Sequence, residues 1–173
     1  MRHLAIFAML GMLGIGNAQP GSDDAKKLQG AWLLTDLVVG GIAVPKKTFQ
    51  GTTFVFAGDK LTIVPPRTDR AINASFVAFT LAVRFPVLPV FDNIVNSREF
   101  TVKLDPDKMP AAADVKLTLK DGLSIVSPAI YEIQGDTLRW CQSDDEDNVE
   151  RPKTFASPQK SRLYLFTFKR VKQ

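Results

Sequence analysis

The C-terminal stretch 163–169 alternates strictly, with Tyr164, Phe166, Phe168 and then Arg170 on one side and Leu163, Leu165, Thr167 and Lys169 on the other. A period of two is that of a half-buried β-strand, and the aromatic side is the one expected to face a core. Comparable short runs of apolar, β-branched and aromatic residues fall at 32–39, 52–57, 61–64, 75–84, 98–104, 115–119, 129–133 and 137–141, punctuated by Gly, Pro and Asp. Gly58-Asp59 and Gly135-Asp136 supply the positive φ of tight hairpins, so the strands on either side of each are predicted to be antiparallel neighbours. Helical signals are confined to 22–30, where Ser22, Asp23 and Asp24 open a segment with lysines later and Gly30 after it. The pattern predicts an all-β domain of about eight or nine antiparallel strands, barrel or sandwich, with one short N-terminal helix.

Patterning is different at the N-terminus. Met1-Arg2-His3 precedes a run from Leu4 to Ile15 in which every residue is apolar or Gly, and Gly16 and Ala18 stand at −3 and −1 of a cleavage point before Gln19. Those are the regions of a secretory signal peptide, and the apolar run is shorter than the roughly 18 residues of a spanning helix. Residues 1–18 are therefore expected to be removed, leaving 19–173 as one exported domain, periplasmic or secreted, with no transmembrane span after processing.

Composition then narrows the chemistry. The chain is 173 residues long, 45% hydrophobic and 23% charged, with one His and one Cys. Processing takes away His3, so no Ser-His-Asp triad, Cys-His dyad or His-ligated metal site is expected in the mature domain. Cys141 has no thiol partner and is expected to be a small buried strand residue. Loss of Arg2 lowers a formal charge of +4 by one, and the lysine pairs are dispersed, which argues against a nucleic-acid face. The acidic run Asp144-Asp145-Glu146-Asp147-Asn148 offers oxygen ligands, but Val149 stands where a calcium loop needs Gly. Asp105, Asp107 and Asp114 match ordinary turn chemistry better than a catalytic carboxylate pair. No cofactor, metal or catalytic residue is assigned, and an enzyme is not expected.

Gly30-Ala31-Trp32 opens the first strand just after the helix, and Arg170 closes the last. This resembles the lipocalin and calycin arrangement, which implies that Trp32 plugs the closed end of an up-and-down β-barrel beneath the cation of Arg170. A longer set of residues resembles a family of small exported lipocalin-like domains abundant in planctomycete-type bacteria. It comprises Lys27-Leu28-Gln29-Gly30-Ala31-Trp32, Gly58-Asp59-Lys60-Leu61, the stretch from Phe100 through Asp105-Pro106-Asp107 to Pro110 with Asp114, the stretch from Ile130 to Leu138 leading to Cys141, Arg151-Pro152 with Phe155, and Arg170. The resemblance implies a fold and no particular activity.

The chain departs from that pattern between Pro65 and Ser97, where a shorter connection is expected. This stretch includes Phe85, Val87, Leu88, Val90 and Phe91, interrupted by Pro86 and Pro89. Two prolines make a regular strand unfavourable, so the segment is read as an apolar loop, either folded over the barrel or serving as a mouth lid or interaction patch. The leading functional expectation is a non-enzymatic barrel that binds a small hydrophobic ligand. The alternative is a cell-envelope interaction module with a filled barrel that binds an envelope protein through residues 85–95. Cavity space discriminates the two, because an eight-stranded barrel is just wide enough to be filled by side chains or to hold one small ligand.

Overall fold

A computed structural model describes residues 20–64, 99–118, 122–143 and 150–172. In chain order these form α1 (Pro20–Leu28), β1 (Gly30–Val39), β2 (Ile42–Ala43), α2 (Lys46–Phe49), β3 (Thr53–Ala57), β4 (Lys60–Val64), β5 (Glu99–Asp105), β6 (Ala112–Thr118), β7 (Ser124–Gln134), β8 (Thr137–Ser143) and β9 (Leu163–Arg170). β1 pairs with β3, each of β3 to β8 pairs antiparallel with the next, and β9 returns to pair with β1, so eight strands close an antiparallel barrel with β2 as one extra strand. The two Gly-Asp turns connect β3 to β4 and β7 to β8, with Gly58 at φ 64° and Gly135 at φ 55°.

β1 divides its length between two neighbours. Gly30 to Leu33 pair with β3, while Trp32 to Val39 pair with β9 through an irregularity between Leu34 and Asp36. Beyond Leu33 its other edge is covered by the chain turning back on itself. Val44 N–H donates to the Leu37 carbonyl (2.9 Å), Leu34 N–H donates to the Thr52 carbonyl (3.0 Å), and Val44 and Phe49 enter the core. Sequence patterning did not predict β2 or α2, which occupy only a few residues between Gly40-Gly41 and Gly51. Close packing also dictates that turn: a Cβ on Gly41, at φ +83°, would lie 2.8 Å from the backbone of Gln159.

One end of the barrel gathers α1, the β3–β4, β5–β6 and β7–β8 turns and the outer ends of β1 and β9, and is its closed end. The opposite end, the mouth, is where β4 ends and β5 begins. Inward positions repeat every second residue, as in Leu138 and Trp140 of β8 and Tyr164, Phe166 and Phe168 of β9. The predicted strand at 75–84 and the loop with Phe85, Val87, Leu88, Val90 and Phe91 lie outside the described residues, as do residues 1–18 and 144–149.

β6 and β7 are longer than their patterning predicts, and the wall they form with β8 explains why. Ala112, Ile130 and Cys141 point away from the interior yet are 0–1% exposed. The segment from Arg151 to Ser157 straps across this outer face, so the strands carry apolar residues on both faces and lose the alternation that marks a strand. Pro128 stands just before the predicted strand 129–133 but inside the observed one. Tyr131 N–H reaches back to the Ala111 carbonyl on the β6 side, so by alternation the Pro128 nitrogen faces the β8 side, one residue past the last β7–β8 rung, Ala129↔Gln142. The missing donor therefore breaks no rung.

Candidate functional site

Of the site residues singled out from sequence, Trp32 and Arg170 lie at the closed end of the barrel, while Phe85, Val87, Leu88, Val90 and Phe91 are outside the described residues. At the closed end, Gly30 at φ +103° turns the chain from α1 into β1 and sets Trp32, 0% exposed, across the bottom of the core. Its indole N–H donates to the Leu28 carbonyl at 2.8 Å. The Arg170 guanidinium lies 4.1 Å from the ring centroid. From there it donates to the Gln29 carbonyl (2.9 Å) and to the Lys27 carbonyl. Both carbonyls belong to the α1 end, whose acceptors have no intrahelical donor. The Gln29 side chain in turn binds both backbone groups of Gly58, at 2.7 and 3.2 Å. Tyr131 adds a contact to Asp24 at 3.4 Å, and burial, reinforced by that carboxylate, holds its hydroxyl pKa well above the ordinary value.

Above this plug the interior is aromatic. Phe54 lies 4.8 Å from Phe168 and 5.9 Å from Phe166, Phe56 lies 6.0 Å from Trp140, and Tyr164 and Phe166 stack at 6.1 Å, all between ring centroids. These separations are in the range of favourable aromatic contact. Among the described residues no charged side chain is buried; the buried polar ones are Thr48, Thr52, Ser143 and Ser157. On β6 exposure rises towards the mouth, from Ala113 (1%) through Val115 (5%) to Leu117 (8%), and on β8 from Leu138 (0%) to Trp140 (3%), whereas Tyr164 at the mouth end of β9 is buried. Phe166, halfway along β9 and facing inward, is half-buried, as is Gln142 on β8.

Gln142 is the residue that sequence reasoning missed. It shares the inward side of β8 with Leu138 and Trp140 and is the cross-strand partner of Tyr164. The side-chain Oε1 of Gln142 accepts the Trp140 indole N–H at 3.2 Å. The signal was present in the spacing Leu138, Trp140, Gln142, but a Gln at the end of an apolar run reads as a strand boundary.

Outside the barrel, Arg151 pins the strap. One guanidinium nitrogen donates to the carbonyls of Ala113 (2.6 Å) and Ala129 (2.7 Å), and the other to Asp114 Oδ1 at 2.5 Å. Asp105 pairs with Lys108 at 3.1 Å, so Asp105 and Asp114 each have a basic partner. Arg139 stacks on Phe155 at 4.6 Å. Cys141 lies beneath the strap with Sγ 3.5 Å from the Ala156 carbonyl, and burial pushes its thiol up to about 11. A thiol so protonated at neutral pH is a poor nucleophile. A surface pocket of about 460 Å³ opens beside the strap, lined by Ser143, Arg151, Lys153, Lys160, Arg162 and Leu163 among others. Lys153 there is paired with Glu150 at 2.7 Å. No group of three or more metal-ligating side chains occurs among the described residues, and no helix among them is long and apolar enough to cross a membrane.

Compared with protein families, curated proteins and solved structures, the chain matches none. The functional conclusion therefore rests on the barrel itself.

Proposed function

We propose that this chain is an exported, non-enzymatic, lipocalin-like barrel that binds a small hydrophobic ligand in the mouth half of its interior. The observation that carries this reading is the half-buried, inward-facing Phe166, above a floor at Trp32, Leu138 and Phe168 that is 0–1% exposed. An aromatic ring that faces a barrel interior and still meets solvent marks accessible space beside it. Concave, largely apolar space with few polar groups is where small ligands bind. The experiment is to incubate the purified mature domain with a lipid and metabolite mixture and record native mass spectra. Retention of an apolar species is the expected result, and a spectrum of bare protein only would remove the ligand reading.

A second reading has its own observation. Phe54, Phe56, Phe166 and Phe168 all lie in the interior, and Phe54 touches two of the other three, which favours a filled barrel that works through its surface. Leu123, Ile125 and Val126 are exposed at the β6–β7 hairpin near the mouth, at 65%, 38% and 46%. In this reading the domain is an envelope interaction module that binds through residues 85–95. Deleting those residues should then strip a co-purifying envelope protein, and an unchanged complex profile would dismiss it.

A further inference from the structure

The indole N–H of Trp140 can only donate, so the Gln142 atom facing it must be the amide oxygen. That contact fixes the orientation of the amide and turns its NH2 group the other way. Among the described residues this NH2 has no protein partner, and no fully buried polar side-chain atom there is left unpaired. The Gln142 NH2 therefore reaches accessible space. It does so on the inward side of β8, directly across from Tyr164 and diagonal to the half-buried Phe166. A polar donor held rigid by a second side chain, beside aromatic faces and with no charge in the surrounding core, has the make-up of a recognition point for one kind of polar atom.

We infer that Gln142 is the polar anchor of the interior site, and that the ligand is a neutral, largely apolar molecule carrying a hydrogen-bond acceptor of the carbonyl class. This rests on the ligand-binding reading given above and sharpens it. The half-buried face of Phe166 takes the apolar body, and the Gln142 NH2 donates to the ligand oxygen. A carboxylate is disfavoured, since no cation is buried among the described residues to offset the cost of drying its charge. A hydrocarbon of the same shape leaves the donor without a partner once water is expelled, and a site built around a hydrogen bond rejects the analogue lacking it.

Three probes of matched shape test this: 2-ethylnaphthalene, 2-acetylnaphthalene and 2-naphthoate, measured by equilibrium dialysis against the mature domain and its Gln142→Leu and Gln142→Glu variants. The ketone is expected to bind roughly tenfold tighter than the hydrocarbon, with naphthoate weakest. Both substitutions should erase the ketone's advantage while leaving the hydrocarbon bound. Gln142→Glu keeps an acceptor for Trp140 and exchanges the amide donor for a carboxylate oxygen, while Gln142→Leu removes the donor without adding charge. A loss of the ketone's advantage in both therefore separates anchoring from packing and from charge, and circular dichroism and thermal unfolding check that each variant is folded. Equal binding of ketone and hydrocarbon to the unaltered protein overturns the inference, as does a ketone preference that survives in folded variants, or tightest binding by naphthoate. In each of those cases the barrel still binds ligands. Failure of all three probes to bind overturns both the anchor and the ligand reading beneath it.

Discussion

Arg170 faces the Trp32 ring, two carbonyls at the end of α1, and Asp136, whose carboxylate lies 3.8 Å away. A long cation at this position covers the indole and supplies donors that the helix end lacks. Arg170→Met retains much of the stem but loses the charge and the donors, and is expected to lower stability by about 2 kcal/mol, read from the urea midpoint. Cys141 carries a pH signature. Its folded pKa of about 11 stands above the ordinary 9.0 because burial disfavours the thiolate. The contribution is therefore complete below pH 9.0 and is lost as pH rises towards about 11. Burial raises Tyr131 as well, so stability should fall on the alkaline side, and Cys141→Ala should flatten the first part of that fall in urea titrations at stepped pH. Part of this was legible through resemblance: Gly30-Ala31-Trp32 and Arg170 read as a pair from their likeness to the lipocalin arrangement, and the contact between them is present. Gln142 did not stand out, because its meaning depends on which way Trp140 points its N–H, and spacing does not encode that.

Among the elements, the hairpins were legible and the doubly covered wall was not. Gly-Asp turns, with positive φ at the glycines, admit few alternatives, and β3–β4 and β7–β8 follow from them. β9 was equally plain, with one aromatic and one mixed face. Ala111-Ala112-Ala113 carries little β propensity, and small residues suit a wall pressed from both sides, so the start of β6 escaped notice. The outer cover is the strap, and the strap hangs on Arg151. Replacing Arg151 with Leu removes the donors at the Ala113 and Ala129 carbonyls and the partner of Asp114. The expected cost is about 1–3 kcal/mol. It should fall on the strap more than on the barrel. Cys141 should then react with an aromatic disulfide reagent under conditions where circular dichroism still reports native sheet, whereas in the unaltered protein it should react only on unfolding.

At the scale of the whole molecule, closure joins the first strand to the last. Thr35 donates to the Thr167 carbonyl across 132 residues of chain, and Arg170 reaches Gln29 across 141. Contacts so distant in sequence form late and slowly, because the loop entropy between them is lost before the contact is gained. A chain emerging from synthesis therefore carries β1 with a bare edge until residue 170 arrives, and bare edges recruit other strands. A chain stopped before Leu163 lacks β9 and leaves both β1 and β8 unpaired on the side where β9 belongs. It is expected to aggregate instead of unfolding cooperatively, with sedimentation velocity as the measurement. The Trp32 ring gives this order of events a timepiece. Its indole is sealed only when Arg170 settles over it, so in a Trp140→Phe background the last change in fluorescence during refolding should mark the moment the cylinder shuts.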